Sequence, residues 1–155
     1  MTWDRETGPG QRRGYHHGNL REALIKAALE LISSKGPAGF TFAEAARAAG
    51  VSPAAPYRHY RDRDALMADV ARRGFEAFEA ALRQAWNEGR PTPLSAFERV
   101  GHAYLDFARR EPAHYAAMFE AGLSIATFPE LQVAGERAFE VLRGACAALV
   151  ATMPE

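Results

Sequence analysis

In the segment SPAAPYRHY, residues 52 to 60, three consecutive side chains carry hydrogen-bond donors: the Tyr57 hydroxyl, the Arg58 guanidinium and the His59 imidazole. All three can donate to phosphate oxygens, and Arg58 can also reach a base edge. Ahead of them, Pro53, Ala54 and Ala55 are small and apolar. Such side chains can touch a thymine methyl in a major groove, but they make no bidentate hydrogen bond to guanine or adenine. Tyr60 is better placed to pack inward. This is the chemistry of a surface laid against a nucleic-acid duplex. The chain offers no phosphate loop, nucleophile elbow, paired histidines at ligand spacing or Ser/His/Asp group that a helical bundle would assemble, so no catalytic residue, metal ligand or cofactor is assigned. The adjacent His16 and His17 could hold a metal ion, but their place in a polar arm favours contact with DNA. Cys146 is the only cysteine, which excludes an internal disulfide and a thiolate cluster; on an apolar helix face it reads as core filler.

Donors of this kind need a platform, and the preceding residues supply the pattern of one. Thr41 and Glu44 have the spacing of a capping box, and Phe42, Ala45, Ala46 and Ala49 mark a short helix that stops at Gly50. Ser52 then stands as the cap of another short helix with Pro53 at its first position, where a missing N–H is harmless. Pro56 falls deeper in that helix and removes its first internal bond. A helix-turn-helix requires a steep crossing, a tight turn and small residues at the contact. Ala46, Gly50 and Val51 provide these.

Composition sets the frame. The chain has 155 residues, 48% of them hydrophobic, enough for one or two small domains with a real core. Formal net charge is zero, but residues 1 to 66 hold ten Lys/Arg against seven Asp/Glu, while the remainder is acidic by the same margin. A basic module joined to an acidic body is the reading. No apolar run has the length of a membrane span and the N-terminus lacks a secretory pattern, so the expected location is the cytoplasm.

Residues 1 to 18 read as a flexible basic arm. Asn19, with Glu22 three residues on, has the pattern of a cap for the first helix, whose stripe of Leu20, Leu24, Ala27, Ala28, Leu31 and Ile32 runs to Gly36-Pro37. After the two short helices, Asp62 caps a long fourth helix carrying Leu66, Val70, Phe75, Phe78, Leu82 and Trp86 as far as the breaker NEGRPTP. Thr92-Pro93 opens a fifth with Phe97, Val100, Tyr104, Leu105 and Phe107 facing inward; Pro112 opens a sixth, and Thr127 to Glu130 a seventh with Leu131, Phe139, Leu142, Leu149 and Val150. No alternating strand pattern occurs. The predicted fold is all-α: an N-terminal three-helix domain with a helix-turn-helix over residues 19 to 64, then a helical bundle over 65 to 155.

Taken together, TFAEAARAAGVSPAAPYRHYRDRDAL resembles the DNA-binding domain of the tetracycline-repressor (TetR) family. It shares the Thr opening the second helix, the Ala-x-x-x-Gly-Val-Ser turn, a Tyr-x-His-aromatic end to the recognition helix and a basic residue opening the fourth. The match spans about residues 19 to 70, and the arm RRGYHHGNLR is similar to one branch of the family. Tyr60 stands where Phe is commoner, and Pro56 where an aliphatic is commoner, which implies a shorter recognition helix. The resemblance implies that Thr41 and Tyr57 bond phosphates, that His59 and Arg63 clamp the backbone, and that Ala54, Ala55 and Arg58 face bases. Arg47 would reach the groove edge, Arg12 and Arg13 the minor groove, and Ser52 completes the DNA-contacting set.

The resemblance also implies a ligand cavity enclosed by helices four to seven. Phe75, Phe78, Leu82, Trp86, Phe97, Tyr104, Phe107, His114, Tyr115, Met118, Phe119 and Phe139 are the candidate linings, with His102, His114 and Glu120 able to orient a ligand. Aromatics at helical spacing are otherwise ordinary core, and that reading stands beside this one. Their density points to an apolar or aromatic effector. Family members form homodimers through two further helices, and the chain stops about where these would begin, so truncation is the expectation. The implied function is a ligand-released homodimeric repressor of a palindromic duplex operator, with no membrane role. The alternative is a helical protein-interaction module whose helix-turn-helix is structural.

Overall fold

The computed structural model describes residues 19–154. The described residues form six α-helices: α1 (Leu20–Lys35), α2 (Phe42–Ala48), α3 (Arg63–Trp86), α4 (Pro93–Arg110), α5 (Pro112–Phe119) and α6 (Pro129–Val150). Among the described residues there is no strand. The predicted all-α class with an N-terminal helix-turn-helix half and a C-terminal helical half is what the chain adopts.

Helix α3 is the hub. It packs along α6, α4 and α5, while α1 lies against α2, the start of α3, and α5. Its apolar stripe explains this: Leu66, Met67, Val70, Ala71, Phe78 and Leu82 are all fully buried. Leu24, Ala28 and Ile32 of α1 join the same contiguous core as Val100 and Phe107 of α4 and Leu131, Ala138 and Val141 of α6. One helix therefore shares its packing with both halves of the molecule.

The caps follow the sequence at most ends. Asp62 accepts a hydrogen bond from the Ala65 N–H at 2.9 Å and opens α3. Thr92 accepts from the Ser95 N–H at 3.2 Å with Pro93 at the first helical position. At its other end α3 stops at Asn87, whose left-handed backbone (φ 45°) turns the chain. There the Arg99 guanidinium donates to the Ala85 carbonyl at 3.0 Å, satisfying an acceptor that the helix leaves open.

Four expectations are corrected. Asn19 makes no side-chain cap; Glu22 instead faces Arg73 across the α1–α3 contact, so the carboxylate that would complete the box is used elsewhere. The third helix is not α-helical but a single 3-10 turn, Ala55–Arg58, and Ser52 does not cap it. In an α-helix the Ser52 carbonyl would accept from residue 56, but Pro56 has no N–H, so the Ala55 N–H takes that carbonyl at 3.1 Å in the tighter pattern. Leu105 and Val150 face solvent, at 68% and 64% exposure. Each lies on the flank of its helix opposite the buried stripe. Cys146 is likewise exposed, next to buried Ala145.

Candidate nucleic-acid interface and apolar groove

Helix α2 sets the position of the recognition segment by the way it ends. Gly50, at φ 73°, donates to the Arg47 carbonyl, and the Val51 N–H reaches back to the Ala46 carbonyl, each at 3.0 Å. This pair of bonds is the Schellman closure, and it requires a left-handed residue where glycine stands. Ala45 and Ala46 are fully buried, and α2 packs against α1. From this turn the chain leads into residues 52 to 59. Pro56 is buried and pins the segment from beneath, and Ala55 is half-buried against the core. On either side of them Ser52, Pro53, Ala54, Tyr57, Arg58 and His59 are exposed. Ala55, expected to face a base, is thus partly withdrawn.

Tyr57 is held without losing its hydroxyl to the core. Its ring meets Phe42 edge-on, with centroids 5.0 Å apart, and the side chain remains 63% exposed. Phe42 is the first residue of α2, so Tyr57 stands beside Thr41. The Thr41 hydroxyl accepts from the Glu44 N–H at 3.1 Å and faces the Glu44 carboxylate, which Lys35 also approaches. Hydrogen bonding to Lys35, and then to the Thr41 backbone, keeps the half-buried Glu44 carboxyl below its usual range. Arg47 is exposed in the last turn of α2.

Arg63, expected to clamp phosphate, is engaged within the chain. Its Nε donates to the Phe40 carbonyl at 2.8 Å, a second nitrogen donates to the Pro37 carbonyl, and the guanidinium lies over the Phe40 ring at 4.6 Å. The side chain is spent on ordering the α1–α2 connection that presents Thr41. Arg12 and Arg13 lie outside the described residues.

A polar network ties the end of this segment to α3. Tyr60 is buried and its hydroxyl donates to the Asp69 carboxylate at 2.6 Å. Asp69 also accepts from Arg72 at 2.6 Å and lies 3.7 Å from Arg73, which in turn holds Glu22 of α1 with two bonds. Burial would raise the Asp69 carboxyl, but hydrogen bonds from Tyr60 and Arg72 and the charge of the two arginines hold it below the usual carboxylate range. Burial, then the bond to Asp69, pushes the Tyr60 phenol far above its ordinary value, so it stays a donor. The spacing Asp69, Arg72, Arg73 on one helix face was the available signal. The Glu22 to Arg73 pairing, 51 residues apart, left none.

The twelve residues proposed to line a cavity divide. Phe78, Leu82 and Phe107 are buried in mutual packing, Phe78 against Tyr104 and Phe107 with centroids 5.1 Å away in each case. Trp86, Tyr104, Tyr115, Met118 and Phe139 are half-buried against that core, Phe97 is half-buried apart from it, and Phe119 is 39% exposed. His114 is engaged by Glu111 at 3.1 Å, while His102 and Glu120 are exposed. The structure does not gather the twelve around one chamber. It opens instead a groove of about 360 Å³ between α3, the end of α5 and α6, lined by Phe75, Ala117, Met118, Leu123, Ile125, Leu131, Gln132, Gly135 and Glu136. Only Phe75 and Met118 of the expected set belong to it. Helical periodicity could not reach Leu123 and Ile125, which lie on the loop before α6, while Ala117, Leu131, Gln132, Gly135 and Glu136 lie on α5 and α6 without an aromatic ring to mark them.

That loop reaches a second place. Phe128 and Glu130, a few residues on, line a cleft of about 290 Å³ with Arg21, His59, Tyr60, Ala65 and Asp69, directly behind the recognition segment. One stretch of chain thus borders both the apolar groove and the base of the DNA-binding half.

No helix among the described residues is long and apolar enough to cross a membrane. In comparisons with known proteins, residues 24–70 match the model of bacterial regulatory proteins of the tetR family, and residues 97–154 that of a tetracyclin repressor-like C-terminal domain. The uncharacterized HTH-type transcriptional regulator YobS of Bacillus subtilis (strain 168) is 28% identical over 100 residues, 64% of this chain and 51% of its own. The chain thus spans about half the length of that curated relative. A solved protein of unknown function from Rhodococcus sp. RHA1 is 32% identical at a TM-score of 0.69, covering 88% of this chain and 73% of that one. The TetR family transcriptional regulator PfmR of Thermus thermophilus shares the fold at a TM-score of 0.72 and 20% identity, over 85% and 74% of the two chains. With both halves matched in order, and with the helix-turn-helix and bundle geometry to go with them, the chain belongs to the tetracycline-repressor family of bacterial transcriptional regulators.

Proposed function

We propose that the protein is a homodimeric repressor that binds a palindromic duplex operator in the cytoplasm and is released by a small apolar or aromatic effector. The observation that carries the DNA-binding part is the exposed set Ser52, Ala54, Tyr57, Arg58 and His59, presented by a Schellman turn whose geometry is independent of those side chains. Tyr57, Thr41 and His59 bond phosphates, Arg47 meets the groove edge, and Arg58 reads a base. Ala54 touches a thymine methyl, and Arg12 and Arg13 enter the minor groove. Affinity then rests on phosphate contacts, and specificity on Arg58, methyl contacts and duplex shape. Two half-sites about 34–36 Å apart require two protomers.

Effector release is supported by the stretch from Leu123 to Leu131, which borders both the apolar groove and the cleft behind Tyr60. A ligand held in the groove acts on operator affinity only through a difference in its own affinity for the two states. A coupling of about 1–3 kcal/mol changes operator affinity about 5- to 150-fold.

The test is fluorescence anisotropy of dimeric protein on the promoter region of its own gene against random duplex at moderate salt. Arg58→Ala is expected to weaken operator binding by about 1–3 kcal/mol and relax one base preference, whereas Tyr57→Phe weakens binding to all sequences alike. Equal binding to promoter and random duplex by the unmodified protein rejects the repressor reading.

A further inference from the structure

The groove between α3, α5 and α6 has apolar walls and a charged lip. Phe75 and Gly135 form its floor, since a Cβ on Gly135 would lie 3.7–3.8 Å from the Phe75 ring, and Met118, Leu123, Ile125 and Leu131 surround it. Ile125 stays 52% exposed although it borders an apolar space. The polar lining comes from Gln132 and Glu136, one turn apart on α6, where the Gln132 amide donates to one Glu136 carboxylate oxygen at 2.9 Å. That neutral donor leaves the charge of Glu136 uncompensated. Both cations of α6 are committed elsewhere: Arg137 lies 3.5 Å from Glu79, and the Arg143 guanidinium holds Glu140 at 2.8 Å while only touching the backbone carbonyl of Glu136. Among the described residues Glu136 has no ion pair.

We infer that this groove takes an amphipathic organic cation, with an apolar or aromatic body on the Phe75–Gly135 floor and an ammonium or amidinium head at Glu136. This rests on the effector reading above and gives that effector a charge, which the density of aromatics in the sequence did not indicate. A half-open groove of about 360 Å³ suits a small molecule of this kind. An anionic ligand would place its charge against Glu136, and a wholly apolar one would leave the carboxylate to water.

Three probes with one body separate these cases: 4-phenylbutylammonium, 4-phenylbutanol and 4-phenylbutyrate, titrated into the full chain without DNA. Isothermal calorimetry measures affinity, and the Met118 methyl resonance reports the site. The ammonium is expected to bind about fivefold or more tighter than the alcohol, the carboxylate not at all, with the Met118 methyl shifting in step. Glu136→Gln, an exposed change that keeps shape, should reduce the ammonium to the level of the alcohol and leave the alcohol unchanged. Gly135→Leu should fill the floor and abolish both. Equal binding of the three probes, no binding of any, a ratio unchanged by Glu136→Gln, or binding with a silent Met118 methyl overturns the inference. If the ammonium binds as expected but leaves operator affinity untouched, the groove keeps its ligand class and the effector role fails instead.

Discussion

The recognition segment and the α3–α6 bundle solve opposite problems. In residues 52 to 59 the side chains that would do chemistry are exposed, and their placement rests on backbone bonds at Gly50 and Val51, on buried Pro56 and on the Tyr60 hydroxyl. In the bundle, the aromatic residues that looked like chemistry are largely one another's packing, with Phe78 fully buried between Tyr104 and Phe107. An interface can be made of residues that contribute little to stability, provided that a few hidden groups hold the main chain. A bundle has no such separation, because each large side chain there is both wall and core.

The largest expected effect tests the bundle side of this contrast. Phe78→Ala should destabilise the fold by about 3–5 kcal/mol in urea unfolding, since the ring is fully enclosed. A loss under about 1 kcal/mol would mean that Phe78 borders a space already open, which would return it to the ligand set.

Next comes the hidden support of the interface. Asp69→Asn should cost about 1–3 kcal/mol, because Tyr60, Arg72 and Arg73 converge on that carboxylate. The folded-state pKa of Asp69 lies below its ordinary value, so its contribution is complete at neutral pH and is lost as pH falls through the lowered value. Thermal melts across the acid range should therefore fall less steeply with pH in Asp69→Asn than in the parent chain. Parallel curves would remove Asp69 from the account of acid stability.

Gly50→Val places a branched side chain at φ 73° and should cost about 1–2 kcal/mol, with operator binding falling further as the turn re-forms. Gly50→Asn should recover most of the loss, since Asn tolerates the left-handed region. A valine variant as stable as the parent would show that the turn is not what orients residues 52 to 59.

The smallest effect is the most local. Pro56→Ala removes a fully buried ring but restores an N–H, and the lost burial, partly offset by the new hydrogen bond, should cost about 1 kcal/mol. Its new amide should become protected from hydrogen exchange as it bonds to the Ser52 carbonyl, turning the 3-10 turn toward an α-helix. An unprotected amide would show that packing beneath the segment, and not the missing donor, keeps it short.

Much of this molecule was legible as a string. Thr41 with Glu44, Asp62, Thr92-Pro93, Pro112 and Pro129 mark the helix starts, because caps and proline act on the first turn through neighbours in sequence. Gly50 with Val51 announced the turn for the same reason. The local pattern failed where a distant partner competed for a group. Asn19 and Glu22 have the spacing of a capping box, yet Glu22 is drawn to Arg73; the bonds from Arg63 to the carbonyls of Phe40 and Pro37 likewise join residues far apart in sequence and leave no local trace.

The helical class, the order of the elements and the run of donors from Tyr57 to His59 are written into the string, since each depends on contacts within a few residues. Long-range packing selects which aromatics are core, leaves the groove open and sets the Leu123–Leu131 stretch along both that groove and the back of the recognition segment. Burial of a side chain depends on what folds against it, and periodicity gives the face of a helix without naming the neighbour that covers it.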